Sequence, residues 1–187
     1  MNPWHDIAPE RITPERFLAL IEISKGSKNK YEIDKETGCL ILDRVLFTST
    51  HYPQNYGFIP RTFGKDFDPL DVLVLCSEEI IPMSLVECKP IGVLTMSDGG
   101  LDDEKIIAVA VNDPFYAPYN DLLQVPVHVM DEIKHFFSVY KSLEGKATAV
   151  HNFKGREEAI AIIKKYIHAY KTEIEPKIKA ERKIRGY

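Results

Sequence analysis

Apolar and polar positions change period about two-thirds of the way along the chain. Up to Val111 the apolar residues come in short runs rich in β-branched and aromatic side chains. The runs are Phe17 to Ile23, Lys30 to Ile33, Cys39 to Phe47, Val72 to Cys76, Ser84 to Met96 and Lys105 to Val111, and each predicts a strand. Between the second and third, Asp34-Lys-Glu-Thr-Gly38 ends in glycine and predicts a turn joining an antiparallel hairpin. Beyond Val111 the spacing becomes helical. Ile133, Phe136, Phe137, Tyr140 and Leu143 mark a helix over Met130 to Leu143, with Gly145 as its stop, and Ile160, Ile163, Ile167, Tyr170 and Ile174 mark a second that ends before Pro176. Short strands first and helices second predict a small barrel or strongly twisted sheet with helices against it. The charged tail after Pro176, with Lys177, Lys179, Arg182, Lys183 and Arg185, reads as a solvated end without chemistry.

Composition narrows the classes of function. A chain of 187 residues, 44% hydrophobic and 28% charged, is long enough to bury a sizeable core and reads as one domain over residues 1–187. A net charge of −4 offers no basic excess to a nucleic-acid backbone or an anionic membrane. Apolar runs such as Ile106 to Val111 fall far short of the roughly 20 residues of a membrane span. The first ten residues lack a basic stretch followed by an apolar one, so a cytoplasmic location is expected. Cys39, Cys76 and Cys88 stand singly in apolar stretches and read as buried, reduced thiols.

The densest chemistry lies in Lys65-Asp66-Phe67-Asp68-Pro69-Leu70-Asp71, which opens directly into Val72 to Leu75. Three carboxylates at one strand entrance repel one another unless a cation compensates, and hard oxygen ligands select hard divalent cations such as Mg²⁺. The plainer reading is that Asp66 and Asp68 only form turns. A second acidic group, Asp98 to Lys105, lies at a glycine turn between apolar strands and taken alone is a solvated loop. Glu22 and Glu32 lie in strand-like stretches where a charged residue can simply face water. Counting removes several alternatives. A calcium loop starting at Asp66 needs glycine sixth and glutamate twelfth, where Asp71 and Ser77 stand. Gly64-Lys65 is followed by Asp66 rather than Ser or Thr, and position 59 is Ile59, so there is no nucleotide-phosphate loop. Neither HExxH nor GxSxG occurs.

The ordered set of pieces carries a resemblance. Glu22, Lys30-Tyr31-Glu32, Asp43-Arg44, Tyr52-Pro53-Gln54-Asn55-Tyr56-Gly57, Asp66-Phe-Asp-Pro-Leu-Asp71, Asp98 with Asp103 and Lys105, and Tyr140-Lys141 follow one another as in the family I soluble inorganic pyrophosphatases. The chain resembles that family from about Phe17 to Glu144. It departs at Phe67, where the family usually has a small or polar residue, and at Ser24, where a proline is common.

The resemblance implies an α+β fold, a small five-stranded OB-like barrel flanked by C-terminal helices, and assembly as a homohexamer. It implies Mg²⁺-dependent hydrolysis of pyrophosphate to two orthophosphates by a metal-bridged hydroxide. The metal ligands implied are Asp66, Asp71, Asp98, Asp103, Glu22 and Glu32, with Asp68 as proton acceptor. Arg44, Tyr140 and Lys141 would bind the leaving phosphate, Lys30 and Tyr56 the attacked one, and Lys105 the substrate as well. Tyr140 fits the buried stripe of its helix equally well, and Lys105 fits a surface charge. Seven of these side chains are acids, against Lys30, Arg44, Lys105 and Lys141, so the empty site carries −3 and repels its own substrate. Two divalent cations bring the count to +1 and three to +3. A nucleotide or organic-diphosphate hydrolase using the same metals is the nearest rival, but no separate segment offers a base or sugar pocket. A nucleic-acid-binding OB-like module is disfavoured by the acidic balance.

Overall fold

The computed structural model describes residues 2–146 and 148–185; Met1, Ala147, Gly186 and Tyr187 lie outside the described residues. Among the described residues there are eight strands: β1 (Phe17–Ile23), β2 (Asn29–Ile33), β3 (Leu40–Val45), β4 (Asn55–Ile59), β5 (Leu70–Leu75), β6 (Leu85–Asp98), β7 (Leu101–Ala110) and β8 (Thr148–Gly155). Three α-helices, α1 (Val127–Val139), α2 (Arg156–Ala169) and α3 (Glu175–Arg185), fall in the last third. Five strands close a ring in the order β1-β4-β5-β7-β6 and back to β1. Neighbours in the ring are antiparallel except β5 and β7, which run parallel. The ring has the five strands expected of it, and the additions lie outside it. β8 adds a sixth strand outside the ring, on β6, and β2 with β3 forms a separate two-stranded hairpin.

The ring strands are apolar on both sides because helices cover both. On β5, Val72 and Val74 join a cluster with Ile163 and Ile167 of α2, while Leu73 and Leu75 join another with Phe136 and Phe137 of α1. This follows from the two-residue alternation of a strand. It also explains why Phe17-Leu-Ala-Leu-Ile-Glu-Ile23, buried at every position, reads as a continuous apolar run. β4 goes unread in the sequence because Asn55 and Gly57 look like turn residues. Gly57 is there for another reason: a Cβ on it would lie 1.8 Å from the carbonyl oxygen of Leu20 on β1.

Three expectations are corrected. The helix through Ile174 does not stop before Pro176. One π-turn over Tyr170–Ile174, with the Glu175 N–H reaching Tyr170 O, leads straight into α3. Proline lacks an N–H and crowds the carbonyl four residues back, and the wider turn accommodates both defects. The tail is accordingly helical and tied down, by Glu175 to Arg61 and by Arg182 to Asp6. α1 ends at Val139, and Ser142–Glu144 forms a separate tight turn closed by Gly145 at φ +69°. Cys39 is exposed and Cys76 half-buried; only Cys88 is a fully buried thiol.

Candidate active site

The same alternation that sends Leu73 and Leu75 under α1 brings Asp71 out at the end of that face. On β7, Asp103 and Lys105 continue the row of Ile107 and Val109. Asp71 and Lys105 are direct partners on the parallel pair. Lys105 is 2% exposed, with Nζ 2.7 Å from Asp71 Oδ2, 2.9 Å from Asp103 Oδ1 and 3.2 Å from the Tyr56 hydroxyl. The surface-charge reading of Lys105 is thus overturned. Burial works against its charge, but Asp71 and Asp103 outweigh burial and hold the ammonium well above the usual lysine range. Tyr56, on β4, donates a hydrogen bond from its hydroxyl to Asp71 Oδ2 at 2.5 Å. Burial, reinforced by the Asp71 charge, raises its pKa far above the usual phenol range.

The acidic loop is a tight reversal. The Gly64 N–H reaches Asp68 O at 2.8 Å, the Phe67 N–H reaches Gly64 O at 3.2 Å, and Asp66 Oδ1 accepts from the Asp68 N–H at 3.2 Å. Phe67, the residue that departs from the family pattern, holds a left-handed φ of +68°, where a small or polar residue costs less. Its ring is 72% exposed and edges onto Phe63 at 6.1 Å. Burial, followed by the nearby charges of Asp68, Asp71 and Asp103, raises the Asp66 pKa.

From the hairpin, Lys30 pairs with Glu32 and, at 3.2 Å, with Asp43; burial opposes its charge, but these two acids raise its pKa on balance. Glu22, at the end of β1, does not face water as its strand-like setting suggests. It is 8% exposed, accepts the Ile33 N–H at 2.9 Å, and has its pKa pushed up to about 8 by burial, with Asp71 and Glu32 adding to the shift. Asp98, at the β6–β7 turn, is paired with Lys141. Tyr140 fills two parts at once, 4% exposed against Phe136 and Phe137 while also reaching the cavity wall.

The acids and lysines of this site, Asp43 apart, line one cavity of about 280 Å³ together with Tyr56 and Tyr140. Every residue assigned to the site from the sequence is on its wall except Arg44. That residue is turned away, its Nε 2.9 Å from Glu144 Oε1 and its Nη1 2.5 Å from Asp43, with a buried Nη2 left without a partner. Lys35 and Trp4 are on the wall and escape the sequence reading. Lys35 sits in the hairpin turn, where a lysine reads as solvated, yet it pairs with Asp68. Trp4 stands far from every motif. With Lys35 in place of Arg44, seven carboxylates face four lysines, a formal −3 that becomes −2 when Glu22 holds its proton.

The donor set fits a hard divalent cation: carboxylate oxygens throughout, and more of them than the lysines neutralise. As the side chains stand, five acids are engaged by ammonium groups, Asp71 and Asp103 by Lys105, Asp98 by Lys141, Glu32 by Lys30 and Asp68 by Lys35. Among the described residues no three His, Cys, Asp or Glu side chains are grouped as a ready-made ion site.

Acids and lysines share this wall with Trp4, Tyr31, Ile33, Phe58 and Tyr140, so charged groups of both signs face one small cavity. Residues 19–171 match the inorganic pyrophosphatase family, and the chain belongs to it, as an inorganic diphosphatase of the family I soluble type. It is 46% identical to soluble inorganic pyrophosphatase 2 of Chlamydomonas reinhardtii over 176 residues, covering 94% of this chain and 92% of that one. Among solved structures, the inorganic pyrophosphatase of Helicobacter pylori superposes with a TM-score of 0.83 at 43% identity, covering 86% of this chain and 96% of the other. That of Thermus thermophilus superposes with a TM-score of 0.82 at 40% identity, covering 90% and 96%.

Proposed function

We propose that this chain hydrolyses pyrophosphate to two orthophosphates with Mg²⁺ as cofactor. The observation that carries the reading is the single cavity in which seven carboxylates outnumber four lysines. Asp66, Asp71, Asp98, Asp103, Glu22 and Glu32 would hold the cations. When bound, divalent cations supply the charge neutralisation and the acidification of water that hydrolysis of a phosphoanhydride needs. The residues of the chain do the rest. Asp68 accepts the proton of the attacking water as a P–O bond forms and the bridging P–O bond breaks. Lys30 and Tyr56 orient the attacked phosphate. Lys105, Tyr140 and Lys141 hold the substrate and, at the end, the departing orthophosphate. Each lysine now paired with a carboxylate would be free to take a phosphate oxygen if a cation neutralised that acid. Arg44 joins the leaving phosphate by turning from Glu144, and its unpartnered Nη2 supports this. Phosphate release from pyrophosphate, ATP and a nucleoside diphosphate, each with Mg²⁺ and with chelator, tests the reading. Rapid Mg²⁺-dependent release from pyrophosphate alone is expected, and preference for either nucleotide would replace it with the nucleotide-hydrolase reading.

The rest of the proposal concerns context. The whole chain acts as one domain, its five-stranded ring supporting an OB-like barrel with helices against it. Exposed Ile41, Leu42, Val45 and Phe47 on and beside the hairpin support assembly through apolar contacts, and the assembly proposed is a homohexamer. Light scattering that finds a monomer at micromolar concentration would refute it. The acidic balance supports the absence of nucleic-acid and membrane partners. Among the described residues no helix is long and apolar enough to cross a membrane, and the location proposed is the cytoplasm.

A further inference from the structure

Trp4 lies before the stretch that matches the family, and none of the roles above uses it, yet it is 7% exposed and lines the cavity. Its indole N–H donates to Thr62 O at 2.9 Å. The Thr62 hydroxyl in turn accepts the Leu70 N–H at 2.8 Å, so one residue fixes both ends of the loop that carries Asp66 and Asp68 and leads into Asp71. The Trp4 ring stacks on His5 at 4.6 Å and packs on Phe63. Lys35, the partner of Asp68, places its ammonium 5.9 Å over the same ring. Trp4 therefore touches the acidic loop twice, at its root and through Lys35 at its tip.

The contact is built, not incidental. Arg61, the residue before Thr62, holds a left-handed φ of +56°, a conformation that costs a non-glycine residue about 1 kcal/mol or more. Its N–H reaches Trp4 O at 3.0 Å, and its guanidinium bonds His5 O at 3.0 Å and Glu175 of α3 at 2.8 Å. A strained backbone clamped from both termini, next to the hinge of the acidic loop, is the arrangement expected of a structure holding ligands in place.

We propose that Trp4 is a positioning residue for the carboxylates of the Asp66–Asp71 loop, acting through Thr62 and clasped by α3. The inference rests on the reading of this loop as a cation site. Partners that orient metal ligands without touching the metal typically contribute about 10- to 100-fold in metal affinity.

The test uses the full chain and MgCl₂ as probe. Trp4 is the only tryptophan, so its emission reports on its own surroundings. In the wild type, calorimetry should detect Mg²⁺ binding, and the emission should change with the same midpoint. Trp4→Phe keeps a ring and loses the N–H. Thr62→Val keeps the shape and loses the bond to Leu70. Both should weaken Mg²⁺ binding about tenfold in calorimetry and raise by a similar factor the Mg²⁺ needed for half-maximal rate. A merely structural Trp4 would lower the melting temperature and leave the calorimetric affinity alone. Folded Trp4→Phe or Thr62→Val with wild-type Mg²⁺ affinity overturns the proposal, as does wild-type emission indifferent to bound Mg²⁺. A wild type that binds no Mg²⁺ at all overturns the cation-site reading first, and is recognised before any variant is compared.

Discussion

Lys105 stands opposite Asp71 on the one parallel pair of the ring, its Nζ 2.7 Å from Oδ2 and 2.9 Å from Asp103. In this triad a single buried ammonium serves two half-buried carboxylates, and it occupies the place where cation charge is wanted. Lys105→Met would leave both acids facing each other without a counter-charge. The unfolding free energy in chelator is expected to fall by about 1–3 kcal/mol, less than a fully buried pair would lose because both acids keep contact with solvent. Mg²⁺ should restore part of the loss, because it supplies the missing charge. Urea unfolding with chelator and with Mg²⁺ measures both quantities, and a loss of the same size in the two conditions would contradict this account.

Asp71 and Asp68 are chemically identical side chains of one loop, and their replacements should fail in different ways. Asp71 takes bonds from Lys105 and Tyr56 at the centre of the acid cluster and is proposed as a cation ligand. Asp71→Asn should weaken Mg²⁺ binding and lower turnover at every Mg²⁺ concentration. Asp68 lies at the loop tip, against Lys35, and is assigned as the proton acceptor. Asp68→Asn should bind Mg²⁺ well and turn over slowly, with partial recovery as the pH rises and hydroxide replaces the missing base. Titrating Mg²⁺ and pH for both variants decides the matter, and equal affinity losses or equal recovery would show the two roles to be misassigned.

Much of this was legible because catalysis and folding use different signals. β1 reads to its last residue because burial on both sides leaves no polar interruption but Glu22. The acids and lysines read because their order along the chain survives any uncertainty about strands. What escaped depends mostly on distance. Gly57 answers to the Leu20 carbonyl across the ring, Pro176 to a π-turn before it, and Lys35 to an aspartate on another loop. The partners of Gly57 and Lys35 are far off in sequence, and the π-turn before Pro176 is a local irregularity that helical spacing does not reveal. Arg44 shows the converse, a motif residue whose side chain is turned from the cavity toward Asp43 and Glu144.

His5 gives the terminal clasp a pH signature. It is wedged between Trp4 and Tyr170, its Nδ1 2.9 Å from the Tyr170 hydroxyl, and burial lowers its pKa from 6.5 to about 4. Asp6 resists the shift, while Arg182 and Arg61 add to it. Between those two values the unfolded chain binds more protons than the folded one. The contribution to stability is therefore complete above 6.5 and is lost as the pH falls toward 4. Urea unfolding at pH about 7 and about 5 should show wild-type stability declining on acidification and His5→Phe, which keeps the stacking ring, declining less. Identical declines would remove His5 from the account.

A wall on which seven carboxylates outnumber four lysines should accept a polyanion only after cations have reversed its sign, and this holds even with Glu22 protonated. The direct measurement is the initial rate of phosphate release at a fixed concentration of the magnesium–pyrophosphate complex while free Mg²⁺ is varied. The rate should keep rising with free Mg²⁺ after the complex is fully formed and should vanish in excess chelator. A rate already maximal when only the complex is present, or full activity in excess chelator, would contradict it.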